Sequence, residues 1–216
     1  MPIKTSLSRL SKNPLIWSLI SLAFLCAYLL FLLNKTPEEK PLIAELALTQ
    51  SIIRGDLVAA QTLLADENNE EDIHETDALG RTALHIAAFY GQTEIAAFLL
   101  EKGIAIENTD EIGMRALHAA ALSGGRAMTQ FLIEHGALID AQSNAGQSAL
   151  HLAAATGQPK LSQLLLEFGA NSTLKDQSGK TPEDYARQNK HPITMKTLRE
   201  FKATLKTPEN KEDTIS

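Results

Sequence analysis

Hydrophobic positions fall into two patterns along the chain. The first is continuous: residues 15–33 form a run of 19 positions without a charge. As a helix at ~1.5 Å per residue such a run reaches about 28 Å, close to the ~30 Å hydrocarbon core of a bilayer. Twelve of the 19 are Leu, Ile or Phe, and together they favour insertion by about 4–7 kcal/mol. The pattern predicts a transmembrane helix over 15–33, preceded by a short basic tail (1–14) and followed by a polar linker (34–41). The second pattern is periodic. Ile95, Phe98 and Leu99 recur as Met128, Phe131 and Leu132, and again as Leu161, Leu164 and Leu165. Spacings of i, i+3 and i+4 predict short helices packed along one side.

The punctuation between these helices repeats with them. Gly80, Gly113, Gly146 and Gly179 stand 33 residues apart, as do Gly91, Gly124 and Gly157, and as do His85, His118 and His151. The first glycine set predicts hairpin turns that need a positive φ, and Gly91 and Gly103 predict left-handed helix ends. Thr82 and Ser148 are placed to cap a first helix, and Pro159 to open a second. A 33-residue period of one turn and two helices identifies a stacked repeat. The stretch Gly80-Arg81-Thr82-Ala83-Leu84-His85-Ile86-Ala87-Ala88-Phe89-Tyr90-Gly91 resembles the G-x-T-P-L-H-x-A-A-x-x-G motif of the ankyrin repeat family.

That resemblance implies an all-α ankyrin-repeat solenoid, helix-turn-helix units joined by β-hairpin turns, over 42–205. Five units are expected, at about 42–75, 76–108, 109–141, 142–174 and 175–205. The first is degenerate, with a helix opened by Pro41, then Gly55 and a stripe of Ala59, Leu63 and Leu64. The last carries Asp184 and Arg187 where inner units have His and Ala, as a polar end cap would. Arg115 for Thr, and Ala for Pro at 83, 116 and 149, depart from the motif and predict locally weaker caps. Residues 206–216 are charged, lack an apolar stripe and are expected to be a disordered tail. With its apolar N-terminal run, the whole chain resembles the small single-pass membrane-anchored ankyrin-repeat proteins of bacteria.

Two features bear on where the repeats sit. A cleaved secretory signal also begins with basic residues, here Lys4, Arg9 and Lys12, but has an apolar region of ~7–15 residues ending in a small-x-small site. The run here closes with Phe31-Leu32-Leu33-Asn34-Lys35 and offers no such site, so an uncleaved signal-anchor is expected. A secreted or periplasmic ankyrin protein after signal cleavage is the alternative. Excess positive charge before the run predicts a cytoplasmic N-terminus and an extracytoplasmic repeat domain, in a bacterium the periplasm.

Composition removes several kinds of chemistry. The net charge is −6 and only 5% of residues are aromatic, which argues against a nucleic-acid partner. Cys26 is the only cysteine, so no internal disulfide or cysteine metal site forms. Adjacent repeats stack ~8–10 Å apart, too far for two of the repeat histidines to share a metal at ~2 Å, and a structural role in bonding the loops is expected. Ser178-Gly179-Lys180-Thr181 resembles the end of a phosphate-binding loop, but Leu174 stands where that motif needs its first glycine. Asp66, Glu67, Glu70, Glu71, Asp72, Glu75 and Asp77 crowd one segment without EF-hand spacing and read as a solvated acidic loop. No nucleophile with a neighbouring base, cofactor motif or small-molecule site is visible, so the chain is not expected to be an enzyme.

The expected function is a membrane-anchored scaffold that binds another protein; the alternative is a regulatory or immunity-type inhibitor that occludes an enzyme. The resemblance implies a cupped hand, with hairpins as fingers and first helices as palm. Family positions used for binding correspond to Leu79, Arg81, Phe89 and Tyr90 in the second unit and to Glu111, Ile112, Met114, Leu122 and Ser123 in the third. In the fourth they are Asn144, Gln147, Ala155 and Thr156, and in the fifth Gln177 and Lys180. Leu79, Phe89, Tyr90, Ile112, Met114 and Leu122 form the apolar part of this set.

Overall fold

Turn residues and caps cut the chain into short helices, and the 33-residue step then stacks them. The computed structural model describes residues 42–64 and 72–204. The chain divides into residues 1–42 and 43–216, and the description below concerns the second unit together with Leu42. The expected transmembrane helix at 15–33, the linker and the tail all lie outside the described residues, as does the acidic stretch 65–71. Among the described residues no helix is long and apolar enough to cross a membrane.

Among the described residues ten α-helices follow in pairs: α1 (Leu42–Arg54) and α2 (Leu57–Leu64), then α3 (Ala83–Tyr90) and α4 (Thr93–Glu101). Next come α5 (Ala116–Ser123) and α6 (Arg126–Glu134), α7 (Ala149–Ala155) and α8 (Pro159–Glu167), and α9 (Pro182–Gln188) and α10 (Pro192–Thr204). First helices pack in one row, α3 on α5, α5 on α7 and α7 on α9, while α2, α4, α6, α8 and α10 pack in a second. The first row is lined with alanine. Ala87, Ala88, Ala120, Ala121, Ala153 and Ala154 are fully buried, and their small side chains allow adjacent helices to approach. Each is also a strong helix former, so packing and propensity agree.

The second row carries the predicted stripes. Ile95, Leu99, Met128, Leu132, Leu161, Leu164 and Leu165 are buried, and Phe98 and Phe131 pack half-buried against them. In the degenerate first pair the expected stripe holds at Leu64, which is buried, but Ala60 takes the buried place beside it, and Ala59 and Leu63 are half-buried. The cause is local. Gly55 turns left-handed at φ 72°, and Asp56 then starts α2 by accepting the Ala59 N–H at 2.9 Å. That start sets the inward face to Leu57, Ala60 and Leu64.

One position of the second row is polar. Thr129 and Ser162, equivalent to Ala96, are fully buried, and their hydroxyls have no hydrogen-bond partner. A buried unpaired hydroxyl costs about 1–3 kcal/mol. Replacing Thr129 with its apolar isostere, Thr129→Val, should therefore raise the unfolding free energy by about 1 kcal/mol in urea titration. A loss of stability instead would show that the hydroxyl has a partner.

Candidate partner-binding face

Each finger is a five-residue turn closed by a glycine and, in three of the four, opened by an aspartate. In Asp77–Arg81 the Gly80 N–H donates to the Asp77 carbonyl at 2.8 Å and the Asp77 N–H to the Arg81 carbonyl at 3.0 Å. The Asp77 carboxylate accepts the Leu79 and Arg81 N–H groups, both at 2.9 Å. Asp110 does the same for Ile112 and Met114, and Asp176 for Ser178 and Lys180. Ser143 takes the place in the fourth copy, its hydroxyl accepting the Gln147 N–H at 3.3 Å. Asp77 therefore organises a turn and does not belong to the solvated acidic loop. Burial would raise its carboxyl, but the Arg81 side chain and the backbone N–H groups outweigh that and hold it below the usual range.

Neighbouring fingers are joined through their backbones. The Glu111 N–H donates to the Leu79 carbonyl (3.1 Å), Asn144 to Ile112 (2.9 Å) and Gln177 to Ala145 (3.0 Å). Closeness at this join requires glycine: a Cβ on Gly113, which already has φ 73°, would stand 2.7 Å from the Asn144 nitrogen. Nothing wider than a hydrogen fits there.

The repeat histidines tie these fingers to the helices. Nδ1 of His85 accepts the Thr82 N–H at 3.2 Å and lies 2.9 Å from the Thr82 hydroxyl, closing a cap at the start of α3. Its Nε2 is 3.0 Å from the Met114 carbonyl in the next finger. A carbonyl can only accept, so Nε2 carries the proton and the ring is neutral. His118 bonds Arg115 and Gln147 in the same way, and His151 bonds Ser148 and Lys180. The cap with Arg115 in place of Thr keeps its backbone bond at 3.1 Å and loses only the hydroxyl. Arg115 instead pairs with Glu107 at 2.8 Å. In the last unit Asp184 caps Thr181, and among the described residues no further finger follows for an Nε2–H to reach. This explains Asp in place of His at the end of the stack.

The polar members of the predicted binding set are largely engaged within the molecule. Arg81 pairs with Asp77 at 2.6 Å. Asn144 and Gln177 donate their side-chain amides to the carbonyls of Glu111 (3.2 Å) and Asn144 (2.6 Å). Gln147 donates to the Tyr185 hydroxyl at 2.7 Å, and that hydroxyl donates to Asp176 at 2.6 Å. Ser123 and Thr156 bond back to carbonyls of their own helices, Ala120 and Leu152. The Ala155 carbonyl accepts from Asn189 and His191. Lys180 reaches Gln188 at 2.9 Å and lies over the Tyr185 ring. The Lys180 and Gly179 N–H groups turn inward to Asp176, so this loop has no nest of amides directed at a phosphate.

The apolar members are displayed. Leu79, Phe89, Tyr90, Ile112 and Leu122 are 41–60% exposed, and Phe89 meets Tyr90 edge-on with centroids 5.4 Å apart. Met114 differs, being half-buried and packed against the core. By repeat register Leu79 and Ile112 share a row with Ala145 and Ser178, and Phe89 and Leu122 with Ala155 and Gln188. The face thus runs from apolar in the second and third units to polar in the fourth and fifth. Glu111 is exposed beside Ile112. The turn-forming role of Asp77, Asp110 and Asp176 escaped sequence reasoning, although their 33- and 66-residue spacing was the available signal.

The model for ankyrin repeats (3 copies) matches residues 48–143 and 117–207. No curated protein matches the chain. The fingers, alanine-lined first helices and histidine ties all lie within the matched residues, and the chain belongs to the ankyrin repeat family.

Proposed function

We propose that this protein is a membrane-anchored scaffold that captures another protein on its fingers and first-helix ends. Ankyrin repeats are protein–protein interaction modules, and the finer reading rests on one observation. Five large apolar side chains in two adjacent units face solvent at positions where the repeat itself requires nothing apolar. Such a group of exposed anchors, including a Tyr, is typical of a recognition surface. The anchor is the uncharged run 15–33, and the charge excess before it puts the repeats on the extracytoplasmic side.

A single crosslinking experiment tests these parts together. A membrane-impermeant, thiol-directed photocrosslinker is placed on Ser123→Cys in intact spheroplasts, with Cys26→Ala as background. The expected result is a discrete protein adduct in the membrane fraction. Adding Phe89→Ser and Tyr90→Ser should leave the melting temperature unchanged and weaken capture by about 1–2 kcal/mol per anchor. The same reagent on Lys196→Cys, in the last helix, should give no adduct. An adduct insensitive to Phe89 and Tyr90 would move the binding face elsewhere. Recovery of the chain in the soluble fraction would remove the anchor, and labelling only after lysis would reverse the orientation.

A further inference from the structure

The charges on the fingers are unequally committed. Asp77, Asp110, Glu111 and Asp176 stand against Arg81 and Lys180 over the four turns. Arg81 is paired with Asp77, and Asp110 and Asp176 turn their carboxylates to their own backbone N–H groups. Lys180 is held by Gln188 and Tyr185. Glu111 is left: it is exposed, and its carboxylate makes no ion pair among the described residues.

Its setting is specific. The equivalent residues in other fingers are Ala78, Asn144 and Gln177, and both amides are spent on finger-to-finger bonds. Glu111 is itself held on two sides, its N–H on the Leu79 carbonyl and its carbonyl on the Asn144 amide. A fixed stretch of backbone therefore presents one free carboxylate beside Ile112 and next to the finger that carries Leu79.

Resting on the reading of this face as the docking surface, we infer that the partner is a polypeptide segment with a Lys or Arg flanked by large apolar residues. The basic group meets Glu111 and the apolar groups cover Leu79 and Ile112. Covering those two side chains removes water from the neighbourhood of the Glu111 carboxylate. An acidic or neutral segment would leave that charge uncompensated, which is costly. A Lys or Arg supplies the counter-charge, and its apolar stem lies along the same surface.

Selection of random displayed peptides on the detergent-solubilised full chain tests this, run in parallel on wild type and Glu111→Lys. Peptides enriched on wild type should carry a basic residue between large apolar ones. A synthetic copy of the leading peptide should bind Glu111→Lys about three- to tenfold more weakly. Changing its basic residue to Glu should invert that order. Equal binding to both proteins, enrichment without a basic residue, or no enrichment would overturn the inference. If Phe89→Ser with Tyr90→Ser loses the peptide while Glu111→Lys keeps it, the docking face stands and the charge pairing falls. If neither variant matters, the face itself is wrong.

Discussion

Truncating Leu132 to Ala should lower the unfolding free energy of the repeat domain by about 2–5 kcal/mol. Leu132 is fully buried on α6, which packs between α4 and α8 in the second row. The loss combines the transfer of the missing methyl groups with the cavity left behind. Collapse around that cavity is restricted, because the fingers of the neighbouring units are tied together by backbone bonds. A value in the upper half of the range is therefore expected. In a stack where each unit touches only its neighbours, weakening the middle also uncouples the two ends. The urea transition of Leu132→Ala should accordingly broaden as well as shift. Leu138, 59% exposed on the same unit, serves as control, and Leu138→Ala should change stability by no more than about 0.5 kcal/mol. A loss below about 1 kcal/mol for Leu132→Ala would mean that its register is misread.

That Leu132 could be placed from sequence at all reflects what a repeat makes visible. Its equivalents Leu99 and Leu165 occupy the same step, and the same spacing marks the glycines, so three copies vouch for each position. Gly80, Gly113, Gly146 and Gly179 all have φ between 72° and 78°, as turns at those places require. Where the copies differ, the reading weakens. Ser143 interrupts the aspartate series, and Asp77 lies at the end of an acidic stretch, so the turn-forming role of Asp77, Asp110 and Asp176 did not stand out. The first helix pair has no full copy of the motif, and of its expected stripe only Leu64 is buried, with Ala60 in place of Ala59. The register offers Asn144, Gln147 and Gln177 to a partner, and the structure adds an internal bond for each within the stack. Side-chain reach to the next unit leaves no trace in a one-dimensional pattern. Apolar side chains have no such internal use on an exposed turn, and Leu79 and Ile112 remain displayed.

Acid should loosen this stack in two stages, beginning with the histidines. Burial pushes His85, His118 and His151 below their ordinary value, partly offset by the carbonyl that each Nε2–H meets. At His85, Asp110 and Asp77 favour the charged ring while Arg81 opposes it. At His118, Arg115 opposes it and Asp110 favours it, and at His151 Asp176 and Asp140 favour it. Geometry gives the same direction: a proton on Nδ1 would face the backbone N–H that Nδ1 now accepts. The folded values lie below the unfolded value near 6.5, so as pH falls through ~6.5 the unfolded chain takes up protons first. Stability is therefore complete above that pH and declines beneath it, until the folded rings protonate as well. Each proton bound only by the unfolded chain contributes up to about 1.4 kcal/mol per pH unit, and three rings act together. Asp77, Asp176 and Asp184 are held below the usual carboxylate range, so a second decline should follow below about pH 4. Urea midpoints measured from pH 8 to pH 3 should show both declines. His118→Asn keeps an oxygen acceptor for the cap but cannot titrate. It should be less stable than wild type at pH 8 and should lose about a third of the dependence between pH 6.5 and 5. An unchanged slope in His118→Asn, or a flat profile in that interval, would show that the histidine ties do not carry the response.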